Sequence, residues 1–220
     1  MILRKTLFAT LLCLFLGATV AVAQPADDPN QFHFFFGYSP VTGSAEPYLD
    51  AGYNIGFGGT WNPNRQKQTL SLRWDVTYDW WDANLGAIEE AEVPGSIRAD
   101  DGDADLWTGR MGVQFDSHNS GKIRWHGGVG MGAYRLHGDL SVETLVSYIY
   151  CDPWWGYCYP YTGVGEAVTQ SKTTTKLGYY ADLGLDIELT NSCFFIEAQY
   201  NYASYQEAFE TFPIVLGWRW

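Results

Sequence analysis

Between residues 70 and 80 the chain reads LSLRWDVTYDW, and polar and apolar side chains take turns along it. Leu70, Leu72, Trp74, Val76, Tyr78 and Trp80 fall on one side; Ser71, Arg73, Asp75, Thr77 and Asp79 fall on the other. Successive side chains of a strand point to opposite faces, so this pattern specifies a strand with one apolar and one charged face. A helix would scatter both chemistries around its circumference.

The period of two recurs through most of the chain. It places Phe32, Phe34, Phe36 and Tyr38 on one face of the first segment, and Leu49, Ala51, Tyr53, Ile55 and Phe57 on one face of the second. Further segments follow at about 104–115, 122–136, 173–189 and 193–202, and the chain runs out on FPIVLGWRW, residues 212–220. With 70–80 these make eight amphipathic strands. Brief turn-rich links (NPNRQKQ, DSHNSGK, TNSC) alternate with longer ones, notably 82–103 and 138–172. Hairpins in sequence with an even strand count put the short turns and both ends of the fold on one side. The expected fold is all-β, an antiparallel up-and-down meander of eight strands.

Residues 1–23 stand apart. Arg4 and Lys5 precede an apolar run from Leu7 to Val20, and Ala21-Val22-Ala23 has the small-x-small form of a signal-peptidase site. This predicts a cleaved signal peptide over 1–23, a short polar lead-in over 24–30 and a single domain over 31–220. The formal net charge is −12, and the leader holds two of the basic residues, so the exported chain is more acidic still. That excludes a nucleic-acid footprint, which requires a basic surface.

Which face is inside follows from residue types. Lys67, Lys122, Lys172 and Lys176 lie in turns or near predicted strand ends, whereas water-facing strands normally carry Lys along their length. The polar faces instead carry Arg73, Arg110, Arg124 and Arg219, with Asp75, Asp79, Asp182, Asp186, Glu188 and Glu197 as carboxylate partners. Forked Arg–carboxylate pairs are the means by which a crowded interior satisfies charge. Trp61, Trp80, Trp81, Trp125, Trp218 and Trp220 sit near strand ends, as in the aromatic girdles of membrane barrels. Polar within and apolar without, the pattern predicts an eight-stranded transmembrane β-barrel in the outer membrane.

The leader, the eight strands, the alternating link lengths and the terminal FPIVLGWRW resemble the small outer-membrane barrels typified by the OmpA transmembrane domain, OmpX and OmpW. In that family alternate apolar residues ending on an aromatic form the signal read by the barrel-assembly machinery. The resemblance assigns this role to Ile214, Leu216, Trp218 and Trp220, with Trp where Phe is more usual. It implies a monomer contacting outer-membrane lipid and lipopolysaccharide, with a structural or surface-interaction role. A narrow channel for small or apolar solutes, as in the OmpW branch, is the alternative; a lipid-modifying enzyme is the third.

Few constellations carry chemistry. Cys151 and Cys158 flank an aromatic-rich tip in the link 138–172, and an oxidising compartment would allow a disulfide between them. That link is the candidate contact for an extracellular ligand. Asp100, Asp101, Asp103 and Asp105 have the density of a calcium loop but lack the downstream Glu of an EF-hand. His126 and His33 fall on the polar face, with no serine placed to make a nucleophile set. Inward glycines, Gly128, Gly130, Gly132, Gly178 and Gly184, leave room for water or a narrow path. No metal, cofactor or catalytic set is expected.

Overall fold

The computed structural model describes residues 30–62, 70–91, 97–117, 122–151, 158–189, 192–205 and 208–220. The expected leader and most of the lead-in lie outside these. The elements are β1 (Asn30–Ser39), β2 (Val41–Gly43), a 3-10 turn (Glu46–Tyr48), β3 (Gly52–Trp61), β4 (Leu70–Asp82) and α1 (Leu85–Ala91). They continue with β5 (Ile97–Asp116), β6 (Ile123–Cys151), β7 (Cys158–Glu188), β8 (Cys193–Ser204), β9 (Ala208–Thr211) and β10 (Ile214–Arg219).

Eight of the strands form a closed antiparallel ring, β1-β3-β4-β5-β6-β7-β8-β10 and back to β1. The seam between β10 and β1 runs from Tyr38↔Ile214 to His33↔Arg219, and Phe32 and Trp220 extend it by exchanging backbone hydrogen bonds of 3.0 and 2.9 Å. Short β2 and β9 pair with each other and carry the same two strand lines beyond Pro40 and Pro213. Proline lacks the N–H a ladder needs, so each strand line breaks there. The Phe212 N–H donates to the Pro40 carbonyl at 3.0 Å and bridges the gap.

The outer surface is an apolar belt. Outward positions of β7, from Leu177 through Tyr179, Ala181, Leu183 and Leu185 to Ile187, are all apolar or aromatic. Ten residue steps at about 3.3 Å span about 33 Å of strand, and a tilt of about 40° brings that to about 25 Å of height, the depth of an outer-membrane hydrocarbon layer. Met111, Met131 and Leu177 are 70–79% exposed, which water would not tolerate and lipid accepts. Towards the long-link end the belt closes in aromatic contacts, with Tyr53–Trp80 at 5.8 Å, Tyr78–Trp107 at 4.8 Å and Tyr179–Tyr202 at 4.7 Å between centroids. Trp61 and Trp125 stand exposed at the short-turn end. Trp81 is a correction to the expected girdle: it is 1% exposed inside the barrel, its Nε1 donating to the Ser39 carbonyl at 2.6 Å. It follows Asp79 in parity, so it belongs to the inward face.

The space left by inward glycines is filled rather than open, which corrects the expected path. Phe35 lies against Gly56, Phe195 against Gly217, Tyr180 against Gly130, His126 against Gly184 and Asp182 against Gly128. In each case the bulky residue stands opposite the glycine in the ladder. Eight strands enclose an interior about wide enough for side chains, and pairing a large residue with a missing Cβ lets both strands keep their spacing. Nearer the long links, Val41, Trp81, Leu106, Tyr134, Ala203 and Phe209 form an apolar plug.

The links 82–103 and 138–172 are not loops throughout, a further correction. Residues 97–103 belong to β5, and β6 and β7 run for 29 and 31 residues as one hairpin whose ladder reaches Cys151↔Cys158. Just past the belt, from Val168 to Lys176, neighbouring residues on both faces are exposed or half-buried, so the apolar–polar contrast that marks a strand in sequence disappears. Asp100, Asp101, Asp103 and Asp105 lie along extended β5: Asp101, Asp103 and Asp105 share the outward face at steps of about 6.6 Å, and Asp100 sits at the bulge between Ala99 and Asp101, so no loop folds them around one point.

Gly56→Val tests the filled interior, because its Cβ would overlap the Phe35 ring. Overpacking costs about 1–3 kcal/mol, so the urea midpoint of the refolded barrel should fall, and Phe35→Ala in the same chain should restore part of it. Unchanged stability of Gly56→Val would show that the interior is open there.

Candidate functional site

The polar half of each alternating strand converges on one buried network. Asp75 on β4 is its hub: Oδ2 accepts from Arg73 Nε and Arg110 Nε, both at 2.9 Å, and Oδ1 lies 2.6 Å from His33 Nε2. Arg73 then forks onto Glu197 of β8, with Nη1 to Oε2 at 2.6 Å and Nη2 to Oε1 at 3.0 Å. Gln199 Nε2 donates to Glu197 Oε1 at 2.6 Å, and His126 Nε2 lies 2.7 Å from Glu197 Oε2. An ionised carboxylate can only accept, so each imidazole donates at these contacts. Arg110 continues upward, its Nη1 reaching Gln199 Oε1 at 3.0 Å and Asn201 Oδ1 at 3.1 Å, its guanidinium stacked 4.5 Å from the Tyr180 ring centroid.

Two satellites flank this centre. Towards the short turns, Arg219 Nη1 lies 3.3 Å from Asp186 Oδ2 and stacks over Phe195 at 5.3 Å, beside buried, free Cys193. Towards the long links, Asp79 Oδ1 accepts from Ser39 and Asn54, both at 2.7 Å. The apolar plug closes the passage beyond.

Of the residues singled out from sequence, Arg73, Asp75, Arg110 and Glu197 meet in the centre, and Asp182 joins through Arg73 Nη1 at 3.5 Å. Arg219 pairs with Asp186. Asp79 is buried with a hydroxyl and an amide as its hydrogen-bond donors. Arg124 and Glu188 sit apart at the short-turn rim, 3.7 Å from each other, with side chains 29% and 39% exposed. Ile214, Leu216 and Trp218 line the outside of β10, and Trp220 follows them against Phe32. Cys151 and Cys158 are direct partners on the last rung of β6–β7; the Cys151 side chain and residues 152–157 lie outside the described residues.

Sequence reasoning assigned no network role to Ser39, Asn54, Gln199, Asn201 and Thr211. Their signal was parity alone, since each occupies an inward position of its strand. It also passed over the plug, where Trp81 and Phe209 interrupt polar faces with bulk.

No protein-family model matches the chain, and no curated protein does. Its structural neighbours include Neisserial surface protein A (NspA), with a TM-score of 0.52 at 12% identity over 87% of this chain and 96% of that one. A major outer membrane protein from Thermus thermophilus aligns with a TM-score of 0.50 at 11% identity, over 88% of this chain and 100% of that one. The fold is that of the small outer-membrane β-barrels. At such identities the likeness is one of backbone, and the barrel's interior network rests on its own geometry.

That network cross-links the wall, joining side chains of β1, β4, β5, β6 and β8. Removing one partner of a buried pair strands the others, at about 3–5 kcal/mol, whereas an exposed pair contributes about 0–1 kcal/mol. Arg73→Met, which removes both forked bonds to Glu197 and one of the three donors to Asp75, should therefore lower the unfolding free energy of the refolded barrel far more than Arg124→Met. Equal effects in urea titration would contradict the centre-and-rim distinction.

Proposed function

We propose that this protein is an outer-membrane barrel whose sealed interior is an anchor and whose β6–β7 ribbon is an interaction surface. Past the belt, from Ala133 and Leu177, that hairpin continues to Cys151 and Cys158, about 60 Å along the strand at about 3.3 Å per residue. The observation that carries the reading is its edge. β8 leaves β7 at Gly178↔Ala203, and among the described residues no strand pairs with Cys158–Leu177 on the side away from β6. An unpaired edge offers backbone donors and acceptors to an extended chain of a partner. On the other side of the sheet β5 accompanies β6 as far as Ile97↔Thr144, and Glu89 of α1 accepts the Ala99 N–H at 2.8 Å.

In this reading the signal peptide directs export, the short turns face the periplasm, and the ribbon stands outside among lipopolysaccharide. A Cys151–Cys158 disulfide would lock its last rung. The narrow-channel alternative is disfavoured by the bulk over each inward glycine and by the plug. The lipid-modifying alternative is disfavoured because His126 is fully enclosed. The role is non-enzymatic and the barrel monomeric.

Removing residues 139–171 from the ribbon should abolish adherence of expressing bacteria to cultured cells or extracellular matrix while leaving heat-modifiable gel migration intact. Neighbouring N–H groups point to opposite sides of a strand, so one of Thr173→Pro and Thr174→Pro should mimic the deletion and the other should not. Unchanged adherence of the deletion would defeat the surface role, and discrete conductance steps in planar bilayers would favour the channel.

Ile214, Leu216, Trp218 and Trp220 are assigned to assembly. Deleting Trp220 removes both backbone bonds to Phe32 and the last aromatic of the motif, and should lower the outer-membrane yield much more than synthesis. A normal surface yield would remove that assignment.

A further inference from the structure

We propose that the barrel interior holds a divalent metal site of the zinc class, formed by His126, Asp182 and Glu197. The three residues come from adjacent strands β6, β7 and β8, all three are buried, and one ligand atom of each lies within 4.8 Å of the others. The ladder explains the convergence. Gly184 stands between His126 and Glu197, and Gly128 stands opposite Asp182. A Cβ at Gly184 would come 2.5 Å from His126 Nε2, and one at Gly128 would come 2.7 Å from Asp182 Oδ2. Only glycine at these positions lets the ligand-bearing side chains lean together.

Asp182 supplies an independent sign. Its side chain is fully enclosed, yet neither carboxylate oxygen has a hydrogen-bond partner, and Arg73 Nη1 stands off at 3.5 Å. A buried carboxylate without hydrogen bonds is costly, and a cation is the ligand that satisfies it. The wider charge balance points the same way. The buried charged groups include three guanidiniums, Arg73, Arg110 and Arg219, against five carboxylates, Asp75, Asp79, Asp182, Asp186 and Glu197. With neutral imidazoles and ionised carboxylates, one dication cancels the excess.

The surroundings fit a metal centre of nitrogen and oxygen donors. His126 presents Nε2 to the site, while Nδ1 lies 3.1 Å from Asp186 Oδ2 without a formed hydrogen bond, and a small turn of the ring would give it the carboxylate support that orients a metal-binding imidazole. Arg73 does not obstruct it. When Glu197 Oε2 turns to the ion, the guanidinium keeps Glu197 Oε1 through Nη2 and Asp75 through Nε. The ion replaces the proton shared between His126 Nε2 and Glu197 Oε2. That proton passes to Nδ1, which faces Asp186 Oδ2, so the ring stays neutral. Metal–ligand bonds of about 2.0–2.2 Å require the three side chains to close in by small rotations.

The test uses the untagged, refolded full barrel in detergent, stripped with chelator and titrated with zinc chloride. One zinc per chain should survive gel filtration, the thermal midpoint should rise with zinc concentration, and X-ray absorption should show one imidazole in a nitrogen–oxygen shell. Asp182→Asn and His126→Gln should each weaken binding at least tenfold while migrating as folded barrels. His137→Gln, at the part-exposed His137–Asp139 pair, should not change it. Failure of the unaltered chain to retain zinc, full retention by folded Asp182→Asn, or an absorption spectrum without imidazole would each overturn the site.

Discussion

Closure of the backbone ladder is the constraint from which the rest of this structure follows. Within hydrocarbon no water is present to pair a free N–H or C=O, so a sheet that crosses must have no edge. The seam of β1 with β10, continued by Phe32 and Trp220, meets that demand. Once the ring is closed at eight strands its circumference is set, and so is the small volume inside it. Everything facing inward must then be fitted to a space chosen by the backbone.

The fitting is done by exchange across the ladder. Phe35 with Gly56, Phe195 with Gly217 and Tyr180 with Gly130 each trade a missing Cβ on one strand for a ring on its neighbour. The same device brings His126 over Gly184 and Asp182 over Gly128, where it gathers donor atoms instead of rings. Charge is handled by the Arg73 fork and the Asp75 hub, which tie β1, β4, β5 and β8 through side chains as the backbone ties neighbours. Cross-linking of the wall and enclosure of the network are thus one property.

The residues that were legible and those that were not divide along physical lines. Arg73, Asp75, Arg110 and Glu197 were readable because charge on an inward face has few alternatives to pairing. Asn54, Gln199 and Asn201 were readable as inward by parity but not as partners, because a neutral amide carries no charge that must be paired. Trp81 read as a girdle residue from its nearness to a strand end, although strict parity from Asp79 already put it inside. The ribbon beyond Ala133 and Leu177 read as a loop because alternation reports the contrast between two environments. With both faces exposed or half-buried just past the belt, β6 and β7 keep their hydrogen bonds and lose that contrast.

By itself the sequence determined the strand class, the strand count, the inward and outward faces and the membrane setting. Each of these depends only on spacing along one strand, and a period of two is a local property. The tertiary structure alone decided which inward residues touch, whether the glycines leave a path, how far the longest hairpin extends and which edge remains open. Those depend on register between strands, where a shift of one residue exchanges every partner.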